Sequence, residues 1–392
     1  MGDRRHRFVY TNVTYRETSG NARMEVLSMS TDYKRHAELQ DRERTKELLK
    51  ELPPFCTEYY KGRNLKLSAK TQYNYAFKMS VFLRYLHESN SYFGSKEIWD
   101  ITLDDLDHLN RDDIEDFMEW LSGQKTGRNR GAATNSSSTV DNYLSCLSTY
   151  WRYFVSKEKL SKNPFIGIDR NVARKKNIIF LEADERDEML EAAWGGDQLS
   201  ERQRKIRDKS NSAIRDATIL MVLFDTGIRV SELVGLDLDD IDFKHHSLKV
   251  VRKGNKEDSV NFSDATEELL KGYLEERKTY QPVDDEYALF LVSIGKYKGE
   301  RISVRSVEKL VKKYAMASGV PNASKISPHK LRSSYAMAML DATSNISLVQ
   351  KQLGHQFIGT TSKYAEARNR DKETYRNAIF HNERHNTELH HK

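Results

Sequence analysis

Only two cysteines occur in the 392 residues, Cys56 and Cys146, far apart and each in an apolar, aromatic-rich neighbourhood. That scarcity excludes a disulfide scaffold, and the missing ligand spacing excludes a cysteine-based metal site. Free, buried thiols in a reducing cytosol are the expectation. Long apolar runs are missing too, since the longest, Ile219 to Phe224, is far too short to cross a bilayer. The opening Met-Gly-Asp-Arg-Arg-His-Arg lacks the apolar centre of a secretion signal. Neither internal repeats nor low-complexity tracts are present. Nor does one sign of charge dominate: 64 Lys+Arg stand against 58 Asp+Glu, a net charge of +6. So small an excess favours a polyanionic partner only where the positive charge gathers on one face. A cytoplasmic protein with no membrane partner is expected.

What is there suits a soluble chain of two or three domains, with 31% charged and 38% hydrophobic residues. Residues 1–33 are polar, lack periodicity and carry five arginines, which reads as a basic, flexible N-terminal extension. Met24 and Met29 are alternative starts. Residues 34–160 read as a helical domain. Ser68 caps an expected helix from Ala69 to about His87, whose stripe Tyr75, Met79, Phe82, Leu86 steps by four, three and four. Lys70, Asn74 and Lys78 lie on its other side. After Ser136-Ser137-Ser138 a second helix sets Val140, Tyr143, Leu147, Tyr150 and Phe154 on one face, with Asn142, Ser145, Thr149 and Arg152 opposite. A third runs from Arg111 to Leu121. Residues 161–176, with Pro164, Gly167 and the basic run Arg170 to Lys176, read as a linker whose charge suits a phosphate backbone. Residues 177–392 read as a second domain, helical around a short β-rich stretch, Leu248 to Phe262. The fold class is therefore mainly α with a small antiparallel β-sheet.

Four short segments hold the chemistry. In Ser327-Pro-His-Lys-Leu-Arg332, a serine cap followed by proline starts a helix and puts His329 and Arg332 in its first turn. Two donors beside a helix N-terminus suit a phosphodiester. Alone the pattern is weak, because His-x-x-Arg recurs at His108/Arg111 and His381/Arg384. In Asp225-Thr-Gly-Ile-Arg229-Val-Ser-Glu232, Gly227 ends one helix and Arg229 begins a new turn three residues before Glu232. Such a pair is usually a surface ion pair; in a cleft it presents a guanidinium fork held by a carboxylate. Lys253 and Lys256 flank a hairpin turn, where a lysine usually only solvates the loop but can also protonate a departing 5′-oxygen. Finally, Leu353-Gly-His355 closes a helix nine residues before Tyr364. A tyrosine nucleophile needs a proton acceptor, its free phenol having a pKa of about 10, and cations to offset charge at phosphorus.

In this order, Arg229, Lys253, His329, Arg332, His355 and Tyr364 resemble the catalytic positions of the tyrosine recombinases, the integrase and Xer family. The matching segments are TGIRVSEL (226–233), RKGNKEDSV (252–260), SPHKLRSSYA (327–336) and LGHQFIGTTSKYAE (353–366). ELPPFCTEYY (51–60) and VRKGNKEDSVNF (251–262) look most like the single-recombinase Xer proteins of Gram-positive bacteria. The resemblance spans about residues 34–380. It implies an all-helical, SAM-like core-binding domain joined to a mixed α/β catalytic domain, the two clamping duplex DNA. It implies Tyr364 as nucleophile, Arg229 and Arg332 on the phosphate, Lys253 as general acid, His329 and His355 in support, and Glu232 as an orienting residue. No metal, ATP or other cofactor is implied. Implied partners are paired inverted-repeat DNA sites, a homotetramer exchanging C-terminal segments, and possible accessory proteins. Lys70, Lys78, Arg152 and Lys256 are DNA-contact candidates from helix-face and hairpin placement. Two features depart from the family pattern: Trp194 to Ser210 looks like a charged loop insertion, and Ser333-Ser334 follows Arg332 where many relatives carry His-Thr or His-Ser. A type IB topoisomerase and a non-catalytic DNA-binding protein are the alternatives.

Overall fold

The structure, a computed structural model, describes residues 29–63, 66–124, 134–169, 178–252, 256–283 and 286–354. They form two units, each with its own apolar core.

The first unit is helical: α1 Met29–Leu49, α2 Pro54–Arg63, α3 Ala69–Ser89, α4 Ser91–Gly94, α5 Leu103–Asp107, α6 Arg111–Gly123 and α7 Ser137–Val155. The expected caps are present, with Ser68 Oγ accepting the amide of Thr71 and Ser136 Oγ that of Thr139. The expected stripes point inward: Met79, Phe82 and Leu86 on α3, and Val140, Leu147, Tyr150 and Phe154 on α7, are buried. Tyr75 and Tyr143 are half-buried at the margin. Helix α2 inserts Phe55, Cys56, Tyr59 and Tyr60, and the Tyr59 ring stacks on Tyr150 with centroids 3.8 Å apart. Edge contacts of Phe82 with Phe117 and of Trp151 with Phe165, both at 4.9 Å, complete an aromatic core. Phe165 and Ile168 belong to that core, so the packing runs past residue 160 into the start of the segment read as linker. Both cysteines are free and buried, and burial raises both thiols, Cys146 to about 12 and Cys56 further. Thiols so raised are not thiolates at neutral pH and act as small apolar side chains. The N-terminal residues up to 28 and the basic run Arg170 to Lys176 lie outside the described residues.

The second unit contains α8 Ala183–Trp194, α9 Glu201–Ser210, α10 Ala213–Thr226, α11 Val230–Val234, β1 Ile241–Asp242, β2 Ser247–Arg252, β3 Lys256–Asn261, α12 Asp264–Lys278, α13 Val304–Ser318, α14 Pro328–Thr343 and α15 Ile346–Leu353. Helix α10 is its axis. Ile219, Leu220, Val222 and Leu223 are fully buried, and the helix packs against α8, α12, α13 and α14. Asp216 anchors it by polar contacts, accepting from Arg215, from Lys313 Nζ (2.9 Å) and from the Tyr314 hydroxyl (2.7 Å). Burial alone would raise the Asp216 pKa; the two cations and the hydroxyl hold it below the usual carboxylate range. The sheet is antiparallel in the order β1-β2-β3, with Arg252 opposite Lys256 at the hairpin end.

Trp194 to Ser210, expected from the sequence as a charged loop insertion, is half helix. Residues 201–210 are helix α9, started by a capping box in which Ser200 and Gln203 satisfy each other's amides. Only Ile206 supplies an aliphatic side chain, so no apolar stripe announced the helix. Instead it is held by Arg207, which is buried and donates to the carbonyls of Ala193 and Trp194 at the end of α8.

Candidate active site

Gly227 ends α10 in the left-handed conformation, with φ +59°. Beta-carbon-free backbone is required there, because a Cβ would sit 2.3 Å from Cδ1 of Tyr335 on α14. The chain therefore turns sharply and delivers Arg229 to the start of α11, where it is the N-cap residue. Glu232, three residues on, reaches back with both oxygens: Oε2 accepts the Arg229 amide and Oε1 the Arg229 Nη1, each at 2.7 Å. The Glu232 side chain is 4% exposed and that of Arg229 36%. One end of the guanidinium is thus fixed while the rest remains accessible to a ligand.

Arg332 lies one turn into α14 and is 3% exposed. Its Nη1 donates to the Gly227 carbonyl and its Nη2 to the Leu353 carbonyl, stapling the α10–α11 turn, α14 and the end of α15 together. Pro328 takes the first helical position of α14 as expected, and Ser327 the N-cap, although the Ser327 hydroxyl makes no capping bond. His329 is exposed on that first turn. Partial desolvation by its surroundings, followed by the nearby charges of Lys330, Arg332 and Arg229, lowers its pKa from 6.5. At neutral pH the ring is therefore neutral and able to accept a proton. Ser334, in the variant pair after Arg332, is buried and accepts the amide of Leu181, a structural task away from Arg229 and Arg332.

Sequence reasoning missed one member of this cluster, Arg252. Its side chain is 7% exposed, and all three guanidinium nitrogens are engaged. Nε donates to Asp258 Oδ2 (3.0 Å), Nη1 to Glu232 Oε2 (3.0 Å) and Nη2 to the Gln352 carbonyl (2.8 Å). The signal was available in the alternation of β2, where Arg252 is in phase with the buried Leu248 and Val250.

Arg229, Glu232, His329 and Arg332 thus lie near one another around the α10–α11 turn and the start of α14. Lys253, His355 and Tyr364 lie outside the described residues; the description stops on either side of Lys253 at Arg252 and Lys256, and at Gly354 before His355. Lys256 opens β3 and is exposed. In the helical unit Lys70 and Arg152 are exposed. Lys78 is not a free surface cation, since its ammonium bonds Asn142 Oδ1 on α7 and sits 5.6 Å from the centre of the Tyr143 ring. It is a strap between α3 and α7.

Residues 197–371 match the phage integrase family and residues 51–172 the phage integrase SAM-like domain. The tyrosine recombinase XerS of Streptococcus uberis is 31% identical over 80% of this chain and 91% of its own length. The XerS of Streptococcus agalactiae serotype III is 32% identical over 82% and 94%. The chain is a Xer-type tyrosine recombinase. Enzymes of this family break and rejoin DNA strands in site-specific recombination, and neither alternative raised by the sequence is favoured by these matches. The recombinase also shares its fold with solved relatives. The XerH site-specific recombinase in a post-cleavage complex with palindromic difH substrate aligns over 82% of both chains, with a TM-score of 0.59 and 21% identity. A lambda integrase dimer bound to a COC′ core site aligns over 77% of this chain and 94% of its own, with a TM-score of 0.52 and 18% identity. Among the described residues no helix is long and apolar enough to cross a membrane.

Proposed function

We propose that the recombinase cleaves duplex DNA through Tyr364 and rejoins it to a partner strand without loss of a phosphodiester bond. Tyr364 Oη attacks the scissile phosphorus, the bond from phosphorus to the 5′-oxygen breaks, and a 3′-phosphotyrosine and a free 5′-hydroxyl result. The phenol proton passes to neutral His329, and Lys253 delivers a proton to the leaving 5′-oxygen. Arg229 and Arg332 hold the non-bridging oxygens, where charge grows at five-coordinate phosphorus. His355 adds a hydrogen bond to that transition state, and Glu232 keeps Arg229 in place. Attack by a 5′-hydroxyl of the partner duplex reverses the step, and a second round resolves the four-way junction. The side chains themselves supply the acid, base and charge compensation. The observation that carries this reading is the gathering of Arg229, Glu232, Arg332 and His329 around the α10–α11 turn and the first turn of α14.

By family likeness the working assembly is a cytoplasmic homotetramer on two inverted-repeat core sites, with C-terminal segments exchanged between protomers. Apolar Tyr375, Ala378, Ile379 and Phe380 in an otherwise polar tail suit that exchange. Resolution of chromosome dimers, integration or excision of a mobile element, and inversion of a DNA segment would all use this same chemistry. Lys70, Arg152 and Lys256 are the exposed DNA-contact candidates.

The test is covalent capture. The full chain is mixed with nicked genomic fragments, denatured in detergent, and the DNA still attached to protein is sequenced beside a Tyr364→Phe control. One recurrent inverted-repeat site, lost in the variant, is the expected result. Attachment that survives in Tyr364→Phe refutes the assignment of the nucleophile, and scattered attachment refutes site specificity.

A further inference from the structure

We propose that Arg252 is a positioning residue for Arg229, acting through the shared carboxylate of Glu232. The inference rests on Arg229 being the phosphate-binding arginine of the proposed reaction.

Glu232 is a buried carboxylate between two guanidiniums. Its Oε1 serves Arg229 Nη1, while its Oε2 serves the Arg229 amide and Arg252 Nη1. Arg252 in turn cannot swing, because Asp258 on β3 and the Gln352 carbonyl hold its other two nitrogens. Gly354 closes the remaining side, since a Cβ there would lie 3.1 Å from Arg252 Nε. The carboxylate plane is therefore set from the sheet side, and Arg229 inherits that orientation. Charge points the same way. Without Arg252, Glu232 would neutralise Arg229 alone and leave a closed ion pair facing the phosphate. With Arg252 present, one negative charge is divided between two guanidiniums, and Arg229 keeps part of its positive field for the DNA. Asp258 balances Arg252 on its far side but is 42% exposed, so solvent screens it more than Glu232. This arrangement binds the β2–β3 hairpin, the Arg229 turn and the end of α15 into one rigid mount.

The experiment uses the full chain and a nicked synthetic duplex of the site recovered by covalent capture. One version carries the natural phosphate, the other a methylphosphonate at the scissile position, which removes the non-bridging charge that Arg229 offsets. Arg252→Ala is expected to slow cleavage at saturating DNA on the order of 100-fold, the scale of a misplaced catalytic group, with little change in DNA affinity. On the methylphosphonate duplex the defects of Arg252→Ala and Arg229→Ala should both shrink. The double variant should cleave no more slowly than Arg229→Ala alone, because the two act in series. Arg252→Lys, which keeps the charge but not the three-pronged geometry, carries the same comparison if the alanine variant does not fold by thermal melting. Unchanged cleavage, losses that multiply in the double variant, or a defect equal on both backbones would each overturn the inference. If Arg229→Ala itself cleaves normally while Tyr364→Phe is dead, the phosphate-binding role beneath it is what has failed.

Discussion

Gly227→Ala should damage this enzyme more than an ordinary glycine substitution, and the structure says by how much. At φ +59° an alanine incurs the left-handed strain of an L residue, about 1–2 kcal/mol. Its methyl would also lie 2.3 Å from Cδ1 and 2.8 Å from Cγ of Tyr335, so the whole ring must move rather than only its tip. Overpacking of this kind costs about 1–3 kcal/mol. The sum is about 2–5 kcal/mol. Gly319 provides the control, being another left-handed helix end, at φ +71°, where an added Cβ meets nothing within 4 Å. Gly319→Ala should therefore cost only the strain, about 1–2 kcal/mol. In urea unfolding followed by circular dichroism, with a slope near 2 kcal/mol/M, the two variants should differ in midpoint by roughly 0.5–1.5 M. Cleavage should fall further in Gly227→Ala, because the Gly227 carbonyl accepts from Arg332 and helps hold it. Equal midpoints for the two variants would refute the close-approach argument. Normal cleavage by a destabilised Gly227→Ala would refute the link from the turn to Arg332.

His329 has its pKa lowered below the ordinary 6.5, so it is neutral at that pH and above, and any loss of cleavage should lie on the acidic side of 6.5; a single-turnover pH profile with an acidic limb above 6.5 contradicts this. Asp216 has a lowered folded pKa, so its stabilisation is complete above the ordinary value of 3.8 and is lost as pH falls through the folded one. Asp216→Asn should remove that acid-dependent part of the unfolding curve and cost about 3 kcal/mol at neutral pH, which denaturation at several pH values will test. Each lysine or arginine that contacts a phosphate contributes about 0.9 to the slope of log affinity against log salt. Lys70→Ala and Arg152→Ala should lower that slope, whereas Lys78→Ala should leave it unchanged and reduce the melting temperature, since Lys78 is bonded to Asn142.

Much of the architecture was legible because local chemistry and burial agree. Ser68 and Ser136 each cap the helix that the apolar periodicity announces, and Gly227 and Gly354 end helices in the left-handed conformation. The small sheet followed from a β-rich stretch, Leu248 to Phe262, interrupted by turn residues. Helix α9 was not legible, because its anchor is a buried arginine bonded to distant carbonyls rather than an apolar stripe. The bond of Lys78 to Asn142 was not legible for a related reason: its place on the polar side of α3 says nothing about an asparagine on α7.

The sequence by itself supplied the candidate residues for phosphoryl transfer and their order, and its resemblance to known recombinases supplied the family. Only the tertiary structure decided how they are held. Arg229 and Arg252 share a carboxylate although 22 positions separate them, and Arg332 draws its acceptors from Gly227 and Leu353. Such bonds depend on where helices and hairpin meet in space, and a one-dimensional pattern carries no record of carbonyl acceptors. A buried charge must find its partners wherever packing brings them, which is why the mount of the active site emerges only in the fold.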